Sequence, residues 1–241
     1  MDFYIILPKI REKNTSNIEI CVLIMYNVFT TTQKGSNMVK DTDKGYTSPK
    51  TKIGQHKMDV LVSSAEELFA EKGFYDTSVA DICKHAQTAV GTFYIYFATK
   101  TDIYRCLLDK YQREIKTILA DSIKDCTTRY EKERLGIRCF VKYAVCNPTI
   151  YKVIWGSLSI DEKMFHDYYV SFAKSYIYGL QSSSNEIALT DLNTLAYALM
   201  GISNFIGLKA IFENMTDEQI DNTIDNTIMP MLSKGALNQL N

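Results

Sequence analysis

Residues 77–97, TSVADICKHAQTAVGTFYIYF, hold two short helical patterns joined by a tight turn. Val79, Ile82, Cys83 and Ala86 fall at i, i+3, i+4 and i+7, which makes one apolar stripe on a first helix. Thr77 or Ser78 stands just before that stripe, where a side-chain oxygen can accept from an amide that lacks a helical partner. A second helix begins near Ala89 or Val90 and ends at Phe97, with Phe93 and Phe97 four apart. The pair predicts a helix-turn-helix.

Upstream, Leu61, Ala65, Leu68 and Phe69 at i, i+4, i+7 and i+8 give a helix from about His56 or Lys57 to Lys72. Gly73 follows as the residue free to turn left-handed at the helix end. Before it, Met38 to Gln55 is rich in Lys, Thr, Asp, Gly, Ser and Pro, the composition of a solvated leader. Six lysines against Asp41 and Asp43 lie between Lys34 and Lys57, so the same segment also suits an arm that follows a phosphate backbone or enters a minor groove. Residues 1–37 carry Lys9, Arg11 and Lys13 ahead of an apolar run from Ile20 to Phe29. That run is interrupted by Asn27, lacks small residues at a cleavage site and falls short of the roughly 20 residues a membrane span needs. We expect an artefactual or dispensable extension, with Met38 as the natural start.

Downstream, Ile103, Leu107, Tyr111, Ile115 and Leu119 recur about every four residues, so a helix from Thr101 to about Asp125, capped by Thr99 or Thr101, buries one face over several turns. Five further helical patterns lie near 130–146, 149–158, 161–182, 189–214 and 216–233, the first two separated by Asn147-Pro148. No strand-period run and no glycine-rich phosphate loop occurs. The expected fold class is all-α. It divides into an extension and arm (1–55), a three-helix head with the helix-turn-helix (56–104) and a larger helical body (105–241).

Formal net charge is −1, so no global field marks a nucleic-acid or membrane partner. The six cysteines form no C-x-x-C pair and do not combine with His56, His85 or His166 at metal-ligand spacing. Free thiols in a reducing cytoplasm fit this pattern, with no metal, no cofactor and no convergent nucleophile or base of an enzyme.

Residues 57–104 resemble the DNA-binding head of the TetR family of bacterial repressors. The resemblance rests on ELFAEKGF (67–74), T-S-V-x-D-I (77–82), G-T-F-Y-x-Y-F (91–97), Lys100 and Asp102-Ile103, in that order and spacing. It implies that the second helix is the recognition helix, with Ala89, Val90, Gly91 and Thr92 nearest the bases. Thr92 then offers a hydroxyl, and Val90 or Ala89 an apolar contact to a thymine methyl. The resemblance further implies that Tyr94, Tyr96 and Lys100 hold phosphates and that Thr77 does so at a helix start. Three positions depart from the family pattern. Gln87 stands where glycine is usual and must take an uncommon backbone conformation or a slightly different turn; Val90 replaces a lysine of many relatives; Ile95 replaces a more polar residue. These departures shift affinity toward the arm and Lys100.

In the body, residues 140–178 are dense in rings. Taken singly they are core; together they suggest an apolar pocket with a few polar points, the region where the family holds its effector. Candidate lining residues are Phe140, Tyr143, Tyr151, Trp155, Tyr169, Phe172 and Tyr176, for a hydrophobic small molecule. The segment 189–212 is apolar on more than one face, with small residues Gly201, Ser203 and Gly207, and the next helix adds Ile220, Ile224, Ile228, Met231 and Leu232. Either a monomer buries this helix centrally or two copies form a four-helix seam; we expect the homodimer. The resulting expectation is a cytoplasmic, ligand-responsive repressor released from a near-palindromic duplex operator, without a membrane partner. The alternative is a helical interaction protein or a sequence-independent DNA binder.

Overall fold

Side-chain caps set where the helices begin. In the computed structural model, which describes residues 45–235, Thr51 accepts from Gly54 N–H and starts α1 (Lys52–Lys72), and Gly73, at φ 86°, ends it. A reciprocal capping box of Ser78 and Asp81 opens α2 (Val79–His85). Ser78, not Thr77, is therefore the cap. The turn passes through Gln87 at φ 51°, the uncommon conformation, into α3 (Val90–Tyr96). Further capping boxes, Thr99 with Asp102 and Thr128 with Glu131, open α4 (Lys100–Ile123) and α5 (Arg129–Cys146).

Asn147-Pro148 then breaks the chain before α6 (Thr149–Ile160), and Asp161 caps α7 (Glu162–Gln181). A 3-10 turn at Ser184–Glu186 leads to α8 (Leu192–Phe212). Thr216 and Gln219 box the start of α9 (Asp217–Thr223), which continues through a π turn, Ile224–Ile228, into α10 (Met229–Gly235). Among the described residues there is no strand; the one extended pairing is an antiparallel bridge between Tyr46 and Phe97. The fold is all-α. The readings made for residues 1–37, and for the arm as far as residue 44, lie outside the described residues.

Two apolar clusters organise the chain. In the first, Leu61, Ala65, Phe69, Ile82, Phe93 and Phe97 close the head against Ile103 and Leu107 of α4. Because α4 continues to Ile123, its distal half belongs to the body, and one rigid helix spans both parts. In the second, Ile137, Val141, Leu180, Leu199, Ile220, Ile224 and Met229 join α5, α7, α8 and the carboxyl-terminal helix. Beside that cluster runs a ladder of ion pairs between antiparallel elements. Arg134 pairs bidentately with Asp225 (2.6 Å), Arg138 with Asp221 (2.6 Å) and Lys142 with Asp217 (2.7 Å).

Three expectations change here. The arm is not solvated throughout: Tyr46 is buried, its hydroxyl donating to Asp109 Oδ2 at 2.6 Å, and Thr47 N–H donates to Tyr96 C=O at 2.9 Å. Helix α1 also begins earlier than expected, at Lys52. Gly207, expected to admit a neighbouring helix at the seam, instead makes room for Tyr151 of α6. A Cβ there would stand 2.3 Å from the Tyr151 hydroxyl oxygen, which donates to Asn204 C=O. Helix α8 is long and apolar enough to cross a membrane by length and composition, yet 44% of that stretch is buried within the fold.

Candidate functional site

The head presents one outward face. Phe93, Tyr96 and Phe97 fall at i, i+3 and i+4 and pack inward, which leaves Val90, Tyr94 and Ile95 turned to solvent. Tyr94 is 57% exposed and Ile95 65%, large apolar surfaces on a helix of seven residues. Ala89 and Gly91 are exposed beside them, and Thr92 is half-buried. Tyr94 is steadied edge-on against Phe93, ring centroids 5.4 Å apart.

Three residues expected at this face sit elsewhere. Thr77 is buried and its hydroxyl donates to Gly73 C=O at 2.8 Å, so it ties the end of α1 to the start of α2. Tyr96 is 8% exposed, packed against Phe97, because i+3 from Phe93 is the same helix face. Lys100 directs its ammonium into the head, donating to Phe74 C=O (2.6 Å) and Thr77 C=O (2.7 Å) and lying 4.2 Å from the Phe74 ring centroid. Burial lowers its pKa, with Asp76 opposing. Lys100 is a brace of the turn that holds α2.

Helix α6 ties head to body. Tyr104 of α4 donates to Val153 C=O (2.6 Å), Tyr75 donates to Ser159 C=O (2.6 Å) and Lys152 donates to Ala70 C=O (2.8 Å). Gly156 permits the first of these, since a Cβ there would stand 2.9 Å from the Tyr104 oxygen. On the same helix, Ile154 faces a cavity in the body.

That cavity, about 390 Å³, lies among α4, α5, α6, α7 and α8. Phe140, Tyr169, Phe172 and Tyr176 of the expected set line it, with Ile154, Tyr168, Met200, Ser203 and Asn204. Tyr143, Tyr151 and Trp155 do not. Tyr143 donates to Glu114 Oε2 (3.0 Å), Tyr151 is drawn to α8, and Trp155 lies on the surface, donating to the Tyr169 hydroxyl (3.1 Å).

The lining also holds charges that the search for rings did not find. Arg129 and Glu133, 7% and 1% exposed, form a buried ion pair one turn apart on α5. Arg129 Nε donates to Glu133 Oε1 at 2.7 Å, Nη2 donates to the same oxygen, and the Tyr176 hydroxyl donates to Oε2. Burial first, and the Glu133 charge next, push the Tyr176 pKa well above the usual phenol value and keep it a donor. Lys116 and Lys132 complete the charged lining. The spacing of Arg129 and Glu133, i and i+4 within a helix expected to be packed, was the available signal.

A family model described as bacterial regulatory proteins, tetR family, matches residues 61–106, from α1 through the helix-turn-helix into α4. The regulator HbdR of Aromatoleum sp. (strain CIB) is 34% identical over 68 residues, 27% of this chain and 30% of that protein. The fatty acid metabolism regulator protein of Bacillus subtilis (strain 168) is 34% identical over 77 residues, 32% of this chain and 40% of that protein. The head, residues 61–106, is that of the TetR family.

The likeness to these two relatives thus spans less than half of their length. In three dimensions it extends into the body. A TetR-family transcriptional regulator from Syntrophomonas wolfei superposes with a TM-score of 0.65 at 22% identity, covering 78% of this chain and 99% of that one, so the two share a fold. Its architecture is the one described above: an amino-terminal helix-turn-helix and a helical carboxyl-terminal domain.

Proposed function

We propose that this chain is a TetR-family homodimeric repressor whose head binds a near-palindromic duplex operator and whose body releases it when a small hydrophobic molecule enters the cavity. The observation that carries the reading is the exposed face of α3. Val90, Tyr94 and Ile95 gain nothing from the fold by standing in water, whereas a major groove offers thymine methyls and phosphates to such side chains. Ala89, Gly91 and Thr92 lie at the same end and allow close approach.

Dimerisation is supported by a stripe on α8, where Tyr197, Phe205 and Phe212 at i, i+8 and i+15 are exposed, with Met231 exposed on α10. Two copies packed through these helices would bury the stripe in a four-helix seam and present two heads to half-sites about 34–36 Å apart. Release is supported by α6, which lines the cavity through Ile154 and holds the head through Val153, Ser159 and Lys152. A molecule that favours a displaced α6 shifts the population toward heads out of register with the operator, α4 moving with them. We place the regulator in the cytoplasm, with no membrane partner and no catalytic activity.

A gel shift on the DNA upstream of its own gene tests the reading. Specific retardation that weakens steeply with salt is expected; no retardation at low salt defeats it. Tyr94→Phe should weaken binding across all sequences and Thr92→Ala should change sequence preference. Unaltered binding in both would show that α3 does not face the bases.

A further inference from the structure

We propose that the cavity selects an amphiphilic organic acid, one carboxylate on an apolar body, with Arg129 as the anchor of the carboxylate. The inference rests on reading the cavity as the effector site and adds the chemical class of the effector.

The lining carries three cations, Lys116, Arg129 and Lys132, against one anion, Glu133. Among the described residues neither Lys116 nor Lys132 has a carboxylate within ion-pair distance. Lys116 donates to Ser171 C=O at 3.1 Å and lies 5.6 Å from the Phe172 ring centroid. Both are contacts that hold an ammonium without neutralising it. Glu133 offers little to a cationic ligand, because Arg129 donates twice to Oε1 and already neutralises the carboxylate, while Tyr176 donates to Oε2.

Arg129 keeps a free hand. Nε and Nη2 are engaged by Glu133, and Nη1 makes no hydrogen bond among the described residues. It stands over Gly179, where an added Cβ would lie 3.5 Å from Nη1, and both residues line the cavity. The guanidinium is held in place by Glu133 and by the Tyr176 ring, its carbon 5.6 Å from the centroid. A donor fixed before the ligand arrives loses little entropy on binding.

The cations stand in a largely apolar lining, with Leu119 and Ile123 of α4, Phe140 of α5, Ile154 of α6, Phe172 of α7 and Met200 of α8. A few charged points in an apolar lining are the complement of an amphiphile. Glu133 also limits the head to a single charge, since a phosphate dianion would set two negative charges beside that carboxylate in a poorly solvated site.

Calorimetric titration and thermal shift of the full chain at neutral pH, with sodium decanoate, decanol and decyltrimethylammonium, test the class while holding the tail constant. Decanoate should bind at least about tenfold more tightly than decanol, the scale of a hydrogen bond to a charged group. The cation should bind most weakly. Removing Arg129 alone would strand a buried Glu133 and endanger folding. The joint change Arg129→Met with Glu133→Leu keeps the cluster neutral, and Lys132→Met removes an unpaired charge. Together these changes should cut the decanoate preference by about tenfold or more, leaving decanol within about twofold. Gly179→Ala, which adds a methyl beside Nη1 without a clash, should weaken decanoate selectively.

Equal binding of decanoate and decanol, or tighter binding of the cation, overturns the assignment while leaving the cavity as a ligand site. Binding of no probe overturns both. Decanoate that binds with the expected preference but leaves the DNA complex unchanged upholds the anion site and defeats the effector reading.

Discussion

Lys100→Met separates a brace from a DNA contact. The substitution keeps the length and apolar stem of lysine and deletes the ammonium that donates to Phe74 C=O and Thr77 C=O and lies over the Phe74 ring. A hydrogen bond from a charged donor contributes about 1.5–3 kcal/mol. The two share one ammonium that solvent partly reaches, and they are not additive, so we take about 2–3 kcal/mol for the pair. Urea unfolding of the full chain should show a loss of that size, with the slope of the transition unchanged. Operator affinity should fall only as far as the head is no longer folded. Its salt dependence should stay as it was, because each phosphate contact contributes about 0.9 to the logarithmic slope and Lys100 contributes none. Stability within about 0.5 kcal/mol of the parent, together with a shallower salt slope, would refute the reasoning and return Lys100 to the phosphate backbone.

Gln87→Gly should raise stability by up to about 1 kcal/mol, since φ 51° costs a side chain more than it costs glycine; a lower urea midpoint would count against it. Glu114 is a carboxylate whose pKa is raised from 4.5, chiefly by burial, with Lys110 and the Tyr143 hydroxyl opposing. The folded state therefore holds that proton more tightly, and the resulting stability is present at low pH and lost as pH rises through the folded pKa. Glu114→Gln should accordingly be more stable than the parent at pH 7, with the advantage fading as the pH falls through the folded pKa and gone below the ordinary value of 4.5; a variant less stable at pH 7 contradicts this. Phe205, 67% exposed in one copy, should matter to association and not to folding. Phe205→Glu should sediment as a monomer with an unchanged helical spectrum, and a variant that remains dimeric would place the seam elsewhere.

Local chemistry made the head legible. The stripe at Val79, Ile82, Cys83 and Ala86, the glycine after Lys72 and the small Ala89-Val90-Gly91 entry each reflect a single helix or turn. So does Gln87, whose odd backbone was readable from its place in the turn. Tyr96 went wrong by an error of periodicity, because a residue between Phe93 and Phe97 still shares their face if it stands three from the first. Thr77 and Lys100 failed for a different reason. Both are polar groups satisfied by backbone carbonyls, of Gly73 for one and of Phe74 and Thr77 for the other, and nothing in one dimension says which carbonyls converge.

The cavity was half legible. The density of rings between 140 and 178 pointed to Phe140, Tyr169, Phe172 and Tyr176, but the destination of a tyrosine hydroxyl depends on its neighbour. Glu114 claims Tyr143, and the carbonyl of Asn204 claims Tyr151 across the gap left by Gly207. Arg129 and Glu133 were passed over because charged residues near a helix start are usually solvated, and only the packing of α7 and α8 over them makes them interior.

The ladder between α5 and the carboxyl-terminal helix acts as a set of notches. Its rungs recur every four residues on both sides, at 134, 138 and 142 against 225, 221 and 217. A slip of one residue unseats all three rungs together, while a slip of one full turn re-forms two of them with new partners. Any sliding would therefore be stepwise, in increments of about 6 Å, four residues at 1.5 Å each. Since α5 also supplies Arg129 and Glu133 and the far helix carries Met231, the wall of the cavity and the outer apolar stripe are cut to the same gauge.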